Sequence, residues 1–217
     1  MMNSASRRLI RIVALAALMA TVGQSARASL FVVPKSALQP PQVTFSEVAS
    51  GTSLNGLTIN GFKFSESTPN ASTAPPGSGP GNTNNINNDM ALSGGTLPVG
   101  YVLTVGLPGL SSSFGFGYAI LGGDTLNIQL FNGLTSLGSL TYTGTPDPSF
   151  NGGFAGIGST TSFTSAKITF VGPPVAFALD NFAAVPAASV PEPSTIASAV
   201  LGLVGVVALR RRRRASR

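Results

Sequence analysis

The residues that could do chemistry in this chain are few and widely spaced. The 217 residues include neither histidine nor cysteine. Serine-histidine-aspartate triads, thiol nucleophiles and ordinary zinc sites are therefore excluded, because each needs an imidazole or a thiolate. Six carboxylates lie between the two ends of the chain, and none belongs to a recognisable catalytic motif: Glu47, Glu66, Asp89, Asp124, Asp147 and Asp180. We expect a protein that is not an enzyme.

The C-terminus combines three segments whose order is typical of a targeting signal. Val190-Pro191-Glu192-Pro193 is followed by an uncharged stretch, 194–209, and then by the arginine-rich tail 210–217. The branched aliphatic residues of the stretch favour membrane insertion by roughly 0.3 to 0.6 kcal/mol each. At 1.5 Å per residue the predicted transmembrane helix is about 24 Å long, which is short for a hydrocarbon core of about 30 Å.

Five consecutive arginines belong on the cytoplasmic side of a membrane, where they halt translocation. They are Arg210, Arg211, Arg212, Arg213 and Arg214. The order of motif, span and arginines resembles the PEP-CTERM sorting signal of Gram-negative bacteria over 190–217. The resemblance implies that an exosortase-like membrane protease recognises Pro191, Glu192 and Pro193 and cleaves nearby. It also implies transient anchoring in the inner membrane before the protein reaches the cell surface or the medium.

The N-terminal residues predict a signal peptide, 1–28. Three arginines precede an apolar core, 12–22, and Ala26 and Ala28 supply the small side chains that signal peptidase needs before its cut. We therefore expect cleavage after Ala28. The arginine pair near the start also resembles part of a twin-arginine signal. Because Arg11 stands where that family has an apolar residue, general secretion is favoured.

The charge of the chain is concentrated at its two ends. The formal net charge is +6, a value typical of proteins that bind nucleic acid or an anionic membrane surface. Ten of the 13 lysines and arginines, however, lie in the targeting segments, so the body, 29–189, keeps three lysines against six carboxylates. No nucleic-acid partner is expected. Without cysteine, the exported body must rest on its core or on bound ions.

The body is predicted to be one all-β domain. Glycine and proline divide it into short segments, and large side chains fall on every second residue of 113–120, as in a strand with one buried face. Asn132-Gly133 indicates a hairpin turn, because both residues tolerate a positive φ. The further predicted strands are 125–130, 139–143, 167–171 and 175–179. Between them, 65–88 contains almost no apolar residue and is predicted to be a disordered loop.

Three segments resemble the first and last strands of jelly-roll, carbohydrate-module-like sandwiches. They are 43–48, 59–64 and 177–182, the last with the pair Asp180-Asn181. The resemblance implies a jelly-roll-like β-sandwich in which the first and last strands are neighbours. Glu47 and Asp180 could then share a structural calcium ion through carboxylate oxygens. Alternatively, Asp180 and Asn181 cap a turn by bonding to their own backbone.

Two functions remain compatible with this sequence. The first is a non-catalytic exported surface, biofilm or extracellular-matrix protein. The alternative is a lectin-like, carbohydrate-binding module that acts on extracellular polysaccharide. Jelly rolls commonly bind sugars on exposed aromatic rings, and here tryptophan is absent and only Tyr101, Tyr118 and Tyr142 represent tyrosine. The sequence therefore favours the matrix protein over the carbohydrate-binding module.

Overall fold

The computed structural model describes residues 28–79, 85–86, 88–98, 100–122, 125–146, 150–171 and 176–188. Within them the fold is all-β, as predicted, and the helical structure amounts to one short 3-10 segment, Lys35–Leu38. No helix in this part of the chain is long and apolar enough to cross a membrane. The predicted transmembrane helix, and all of the predicted signal peptide except Ala28, lie outside the described residues.

Eleven strands in this part of the chain form one continuous antiparallel sheet. In chain order they are β1 (Leu30–Val32), β2 (Thr58–Ile59), β3 (Phe62–Glu66), β4 (Ala71–Ala74), β5 (Met90–Ser93), β6 (Val102–Leu121), β7 (Thr125–Asn132), β8 (Thr135–Thr143), β9 (Thr145–Pro146), β10 (Asn151–Val171) and β11 (Ala176–Pro186). The main order is β4-β5-β11-β6-β10-β7-β8, with β3 also paired to β6 and with β1 and β9 paired to β10.

The two longest strands, β6 and β10, bend the sheet into an open sandwich. Their pairing shifts register between Gly158 and Ser165, and residues 107–110 of β6 fall outside the ladder at this corner. Pro108 is tolerated there because the ladder is already interrupted. The front layer contains β2, β3, β7, β8 and residues 102–106 and 165–171 of the long strands. The back layer contains β4, β5, β11 and residues 111–121 and 151–159, with β1 and β9 at its side.

Aromatic side chains from both layers meet in the core between them. Phe64 of the front layer lies 5.3 Å from Phe182 of the back layer between ring centroids, and Phe182 stacks on Phe116 at 4.9 Å. The alternating residues of β6 share this inner face as predicted, because Phe114, Phe116, Tyr118 and Ile120 are all buried. Each such side chain contributes roughly 1.5 to 3 kcal/mol through burial, which lets the fold stand without disulfides.

The outer face of the back layer is covered by other parts of the chain. A Cβ atom on Gly117 of β6 would overlap the carbonyl oxygen of Asn85, and one on Gly156 of β10 would overlap the carbonyl oxygen of Val33. Glycine at these positions therefore lets two backbone segments lie directly on the sheet. We call residues 33–38 together with Asn85 and Ile86 the cover.

Two predicted ranges need correction. The range 65–88 is not one disordered loop, because β4 lies inside it with Ala71 and Thr73 buried; residues 80–84 and 87 are outside the described part. Small side chains suffice here, since the strand is held by its ladder to β5. The range 43–48 is not a strand either. Only Val43 pairs, with Phe182, and the chain then turns at Phe45, whose φ is 57°.

The predicted hairpin after β7 is present, with its turn one residue later than expected. Asn132 pairs with Thr135, so Gly133 and Leu134 form the turn, and Gly133 has a φ of 57°. The predicted strand 59–64 is divided between β2 and β3, because the chain turns at Asn60 and Gly61, which both have a positive φ. The other predicted strands lie within longer strands of the structure, β6, β7, β8, β10 and β11, except that Val175 is outside the described residues.

Candidate functional site

The outer face of the front layer carries rows of mostly polar residues that are exposed or partly exposed. Residues directly opposite each other in antiparallel strands project from the same face of a sheet. The pairings of β3, β6, β10, β7 and β8 therefore define one row of five side chains: Ser65, Thr104, Lys167, Gln129 and Ser139. None of these five residues is buried. At about 4.8 Å between strands, the row is roughly 19 Å long.

Two further rows flank the first. One contains Val102, Thr169, Asn127 and Thr141, and the other contains Lys63, Gly106, Ser165, Phe131 and Ser136. We call these three rows together the polar face. Its hydroxyl, amide and ammonium groups alternate along each strand with buried apolar residues such as Ile128 and Ile168, which explains why the face stays in water while the strands hold the core.

Hydrogen bonds fix several side chains of the polar face. Gln129 Nε2 donates to Ser136 Oγ at 2.9 Å, and Asn127 Nδ2 donates to Thr141 Oγ1 at 3.1 Å. The Lys167 ammonium lies 4.8 Å from the centroid of the Phe131 ring, within the range of a cation–π contact. These contacts hold the side chains of the polar face in place. The face presents hydrogen-bonding groups and positive charge on the surface of the sheet.

Asp180 belongs to a different cluster, on the outer face of the back layer. It is fully buried and lies opposite Gly117. Asp180 Oδ2 accepts hydrogen bonds from the Asn88 amide at 3.2 Å and from Asn181 Nδ2 at 3.0 Å, and Asp180 Oδ1 accepts one from the Asn181 amide. The last bond is a local contact with the backbone of the next residue, but both residues lie within β11 and not in the turn that the capping alternative assumes.

A bulge in β11 brings Asp180 and Asn181 to the same side of the sheet. The register shifts between Asp180 and Ala183, and Asn181 has a φ of 56°. A bulge re-aims side chains in this way. Asn181 Nδ2 then donates to the Asn85 carbonyl at 3.0 Å, and Asn88 Nδ2 donates to Asn181 Oδ1 at 3.0 Å. The pair therefore clamps the cover onto the back layer.

Glu47, the other predicted calcium ligand, has donors of its own. Its carboxylate accepts a hydrogen bond from the Thr44 amide at 3.1 Å. Glu47 lies in the turn that follows the β-bridge between Val43 and Phe182. This bridge to Phe182 makes the opening segment a neighbour of the last strand, as the sequence predicts. Among the described residues, no group of three or more histidine, cysteine, aspartate or glutamate side chains is placed to hold a metal ion. A calcium ion shared by Glu47 and Asp180 stays a prediction.

Besides Asp180, the described residues contain a second buried carboxylate, Glu66, which sequence reasoning missed. Its Oε1 atom accepts hydrogen bonds from the Tyr101 hydroxyl at 2.8 Å and from the amides of Asn70 and Ala71 at 3.0 and 2.9 Å. Burial raises the pKa of Tyr101 far above its usual value, and the bond to Glu66 and its negative charge raise it further. The period-two pattern of β3, which places position 66 on the core side with Phe62 and Phe64, was the available signal.

The targeting residues lie mostly outside the described part of the chain. Pro191, Glu192, Pro193, Arg210–Arg214 and Ala26 all fall there. Ala28 is described, and the next residue already belongs to the fold. The Ser29 amide donates to Thr160 Oγ1 at 3.0 Å, and the Thr160 amide donates to the Ser29 carbonyl at 3.1 Å.

Comparison with known protein families identifies a motif in the C-terminal segment. Residues 189–213 match the model of the PEP-CTERM protein-sorting motif. The chain carries a PEP-CTERM sorting motif. This motif indicates an exported protein of Gram-negative bacteria that is processed by an exosortase. No curated protein matches the sequence.

Among solved structures, the fold is distantly similar to carbohydrate-binding modules. A family 29 module is 10% identical over 74% of this chain and 91% of its own, with a TM-score of 0.39. A family 6 module is 17% identical over 57% of this chain and 87% of its own, with a TM-score of 0.35. These values are too low to transfer a ligand or a binding site to this chain.

Proposed function

We propose that the mature body is a non-catalytic surface or extracellular-matrix protein that associates with extracellular polysaccharide. The observation that carries this proposal is the polar face, whose three rows of exposed and partly exposed side chains cross up to five strands. Polysaccharides present many hydroxyl groups, which exchange hydrogen bonds with hydroxyl and amide side chains. The polar face offers both kinds of side chain on a rigid sheet.

The route to the outside requires two proteases. Signal peptidase cuts after Ala28, and an exosortase-like membrane protease cuts near Pro191, Glu192 and Pro193 after a transient stay in the inner membrane. The intact mass of the extracellular form is expected to begin at Ser29 and to lack the arginine tail. A mass that retains 210–217 would contradict this processing.

Replacing Pro191, Glu192 and Pro193 together by alanine is expected to leave the protein in the inner membrane. The matched control is Pro186→Ala, which removes a nearby proline outside the motif. Cell fractionation measures both variants. If the triple variant reached the medium at the rate of the control, Pro-Glu-Pro would not be the recognition element.

A lectin-like module is the second candidate, and Phe131 is the observation that favours it. This half-buried ring lies among hydroxyl side chains on the polar face, where an aromatic ring can stack on a sugar. A matrix protein is expected to co-sediment with the native exopolysaccharide while giving no micromolar binding on an array of defined glycans. Micromolar binding to one array sugar would favour the lectin. Absence of binding in both assays would overturn both candidates.

A further inference from the structure

Two of the three lysines of the body lie on the polar face. Lys63 on β3 and Lys167 on β10 are exposed, and they occupy neighbouring rows. They are two strands and two residues apart, which places their Cα atoms roughly 12 Å from each other. One polymer strand that lies across the sheet would therefore meet both ammonium groups.

The polar face is positive although the body as a whole is acidic. The described carboxylates lie elsewhere: Glu66 is buried on the opposite side of β3, Asp180 is on β11, and Glu47 and Asp89 are outside the five strands. Neither Lys63 nor Lys167 forms an ion pair with a carboxylate of the described residues. Both side chains are exposed, so a ligand can reach the two ammonium groups.

We propose that the polar face binds an anionic polysaccharide, whose carboxylate groups pair with Lys63 and Lys167. This inference rests on the proposed association with polysaccharide and names its chemical class. The Phe131 ring orders the Lys167 ammonium in the middle of the face. Around it, Thr104 and Gln129 stand on both neighbouring strands in the same row and can hydrogen-bond sugar hydroxyls.

Charge complementarity is what selects an anionic ligand over a neutral one. A neutral glycan would use the hydroxyl and amide rows equally well and would leave the two ammonium groups without a counter-ion. Exposed ion pairs are weak, about 2- to 5-fold in affinity each, but a polymer repeats its charge and engages several sites at once. Because the pairs are exposed, their contribution falls as salt rises.

The test uses the processed protein, after its mass has shown that the arginine tail is gone. Alginate serves as the polyuronate probe, dextran as the neutral polymer and double-stranded DNA as the anion of another class. Binding is measured by biolayer interferometry at low and at physiological salt. We expect binding to alginate that weakens as salt rises, with weaker binding to dextran and DNA.

Lys167→Gln and Lys63→Gln are each expected to lower the affinity for alginate about 2- to 5-fold. The matched control is Lys35→Gln, which removes the same charge from the third lysine of the body. Lys35 Nζ donates to Asn85 Oδ1 in the cover, so it lies away from the polar face. This control is expected to bind alginate as the unchanged protein does, and melting temperatures verify that all three variants fold.

The outcomes separate this inference from the proposed function. Equal binding to dextran and alginate, or equal loss in Lys35→Gln and Lys167→Gln, would overturn the anionic ligand while leaving association with polysaccharide intact. Tighter binding to DNA than to alginate would also overturn it. If the protein bound none of alginate, dextran and the native exopolysaccharide, the proposed function would fail as well.

Discussion

The long strands β6 and β10 are built differently in the two layers that they join. In the back layer, glycines such as Gly117 and Gly156 alternate with large inward side chains, and the cover lies directly on the outer face. In the front layer, the same strands place Thr104, Lys167 and Thr169 outward, and this face stays exposed. Small outer residues therefore let the back layer be covered, and it serves as a scaffold. Longer polar residues keep the outer face of the front layer as a surface in contact with water.

The largest effect is expected from Phe116→Ala in the back layer. Phe116 is fully buried and stacks on Phe182, so its loss leaves a cavity that costs about 3 to 5 kcal/mol of unfolding free energy. Phe131→Ala on the polar face is the matched control and should cost much less, because that ring is half exposed. Urea denaturation measures both. Equal losses would contradict the division into scaffold and surface.

Addition of one methyl group tests the cover directly. Gly156→Ala should cost about 1 to 3 kcal/mol, because the new Cβ atom would overlap the Val33 carbonyl oxygen and displace the cover. Gly106→Ala is its counterpart on the same pair of long strands in the front layer. There the Cβ atom would meet Lys63 Cβ at 3.5 Å, an ordinary contact, so little change in melting temperature is expected. A larger loss from Gly106→Ala than from Gly156→Ala would show that the cover is not where the back layer is most tightly packed.

The alternation of large and small residues made the strands predictable, while the cover was not. Phe114 and Phe116 stand two residues apart, and period two is enough to assign a buried face. The same pattern says nothing about what lies on Gly117, because the covering residue Asn85 is distant in sequence and polar. The composition of 65–88 hides β4 for a related reason, because Thr73 is buried through the main-chain pairing of β4 with β5 and not through apolar side chains.

The polar face was also beyond reach of the sequence alone. Lys63, Lys167 and Gln129 lie on three different strands. They come together on the polar face only because of the register in which β3, β6, β10 and β7 pair. Register depends on long-range pairing, which single-chain patterns do not encode. The PEP-CTERM motif, in contrast, is contiguous. Because the match over 189–213 is one continuous segment, the motif could be predicted without any knowledge of the fold.

Asp180→Asn tests the clamp that holds the cover on the back layer. One carboxylate oxygen becomes an amide that faces the N–H donors of Asn88 and Asn181, and an unsatisfied buried group costs about 1 to 3 kcal/mol. The melting temperature should fall by several degrees. Thr141→Ala on the exposed polar face provides a reference of little effect.

The same variant decides whether calcium adds to the clamp. Binding of calcium to the folded state alone would stabilise it by about 2.7 kcal/mol at a hundredfold excess over Kd. Chelation would then lower the melting temperature of the unchanged protein and have no effect on Asp180→Asn. If chelation changes neither protein, Glu47 and Asp180 share no calcium ion and the hydrogen bonds alone hold the cluster.

The smallest expected effect concerns pH and the contact between layers. Tyr101, paired with Glu66 of β3, also lies 5.6 Å from Phe177 of the back layer, measured between ring centroids. Because burial raises the pKa of Tyr101, the unfolded chain loses its tyrosine proton first, near pH 10, and the folded state loses stability from that pH upward. Stability from this group is therefore fully present at neutral pH.

Tyr101→Phe should remove this alkaline loss, so that its unfolding free energy falls less between pH 10 and 11 than that of the unchanged protein. At pH 7 the variant should be slightly less stable, because Glu66 loses a donor. Tyr142→Phe is the companion variant, because burial also raises the pKa of Tyr142. The Tyr142 hydroxyl donates a hydrogen bond to the Gly156 carbonyl at 2.7 Å and so connects β8 of the front layer to β10 of the back layer. Urea denaturation across this pH range measures each contribution. If the unfolding free energy of both variants fell between pH 10 and 11 as much as that of the unchanged protein, ionisation of Tyr101 and Tyr142 would not be the cause of the alkaline loss of stability.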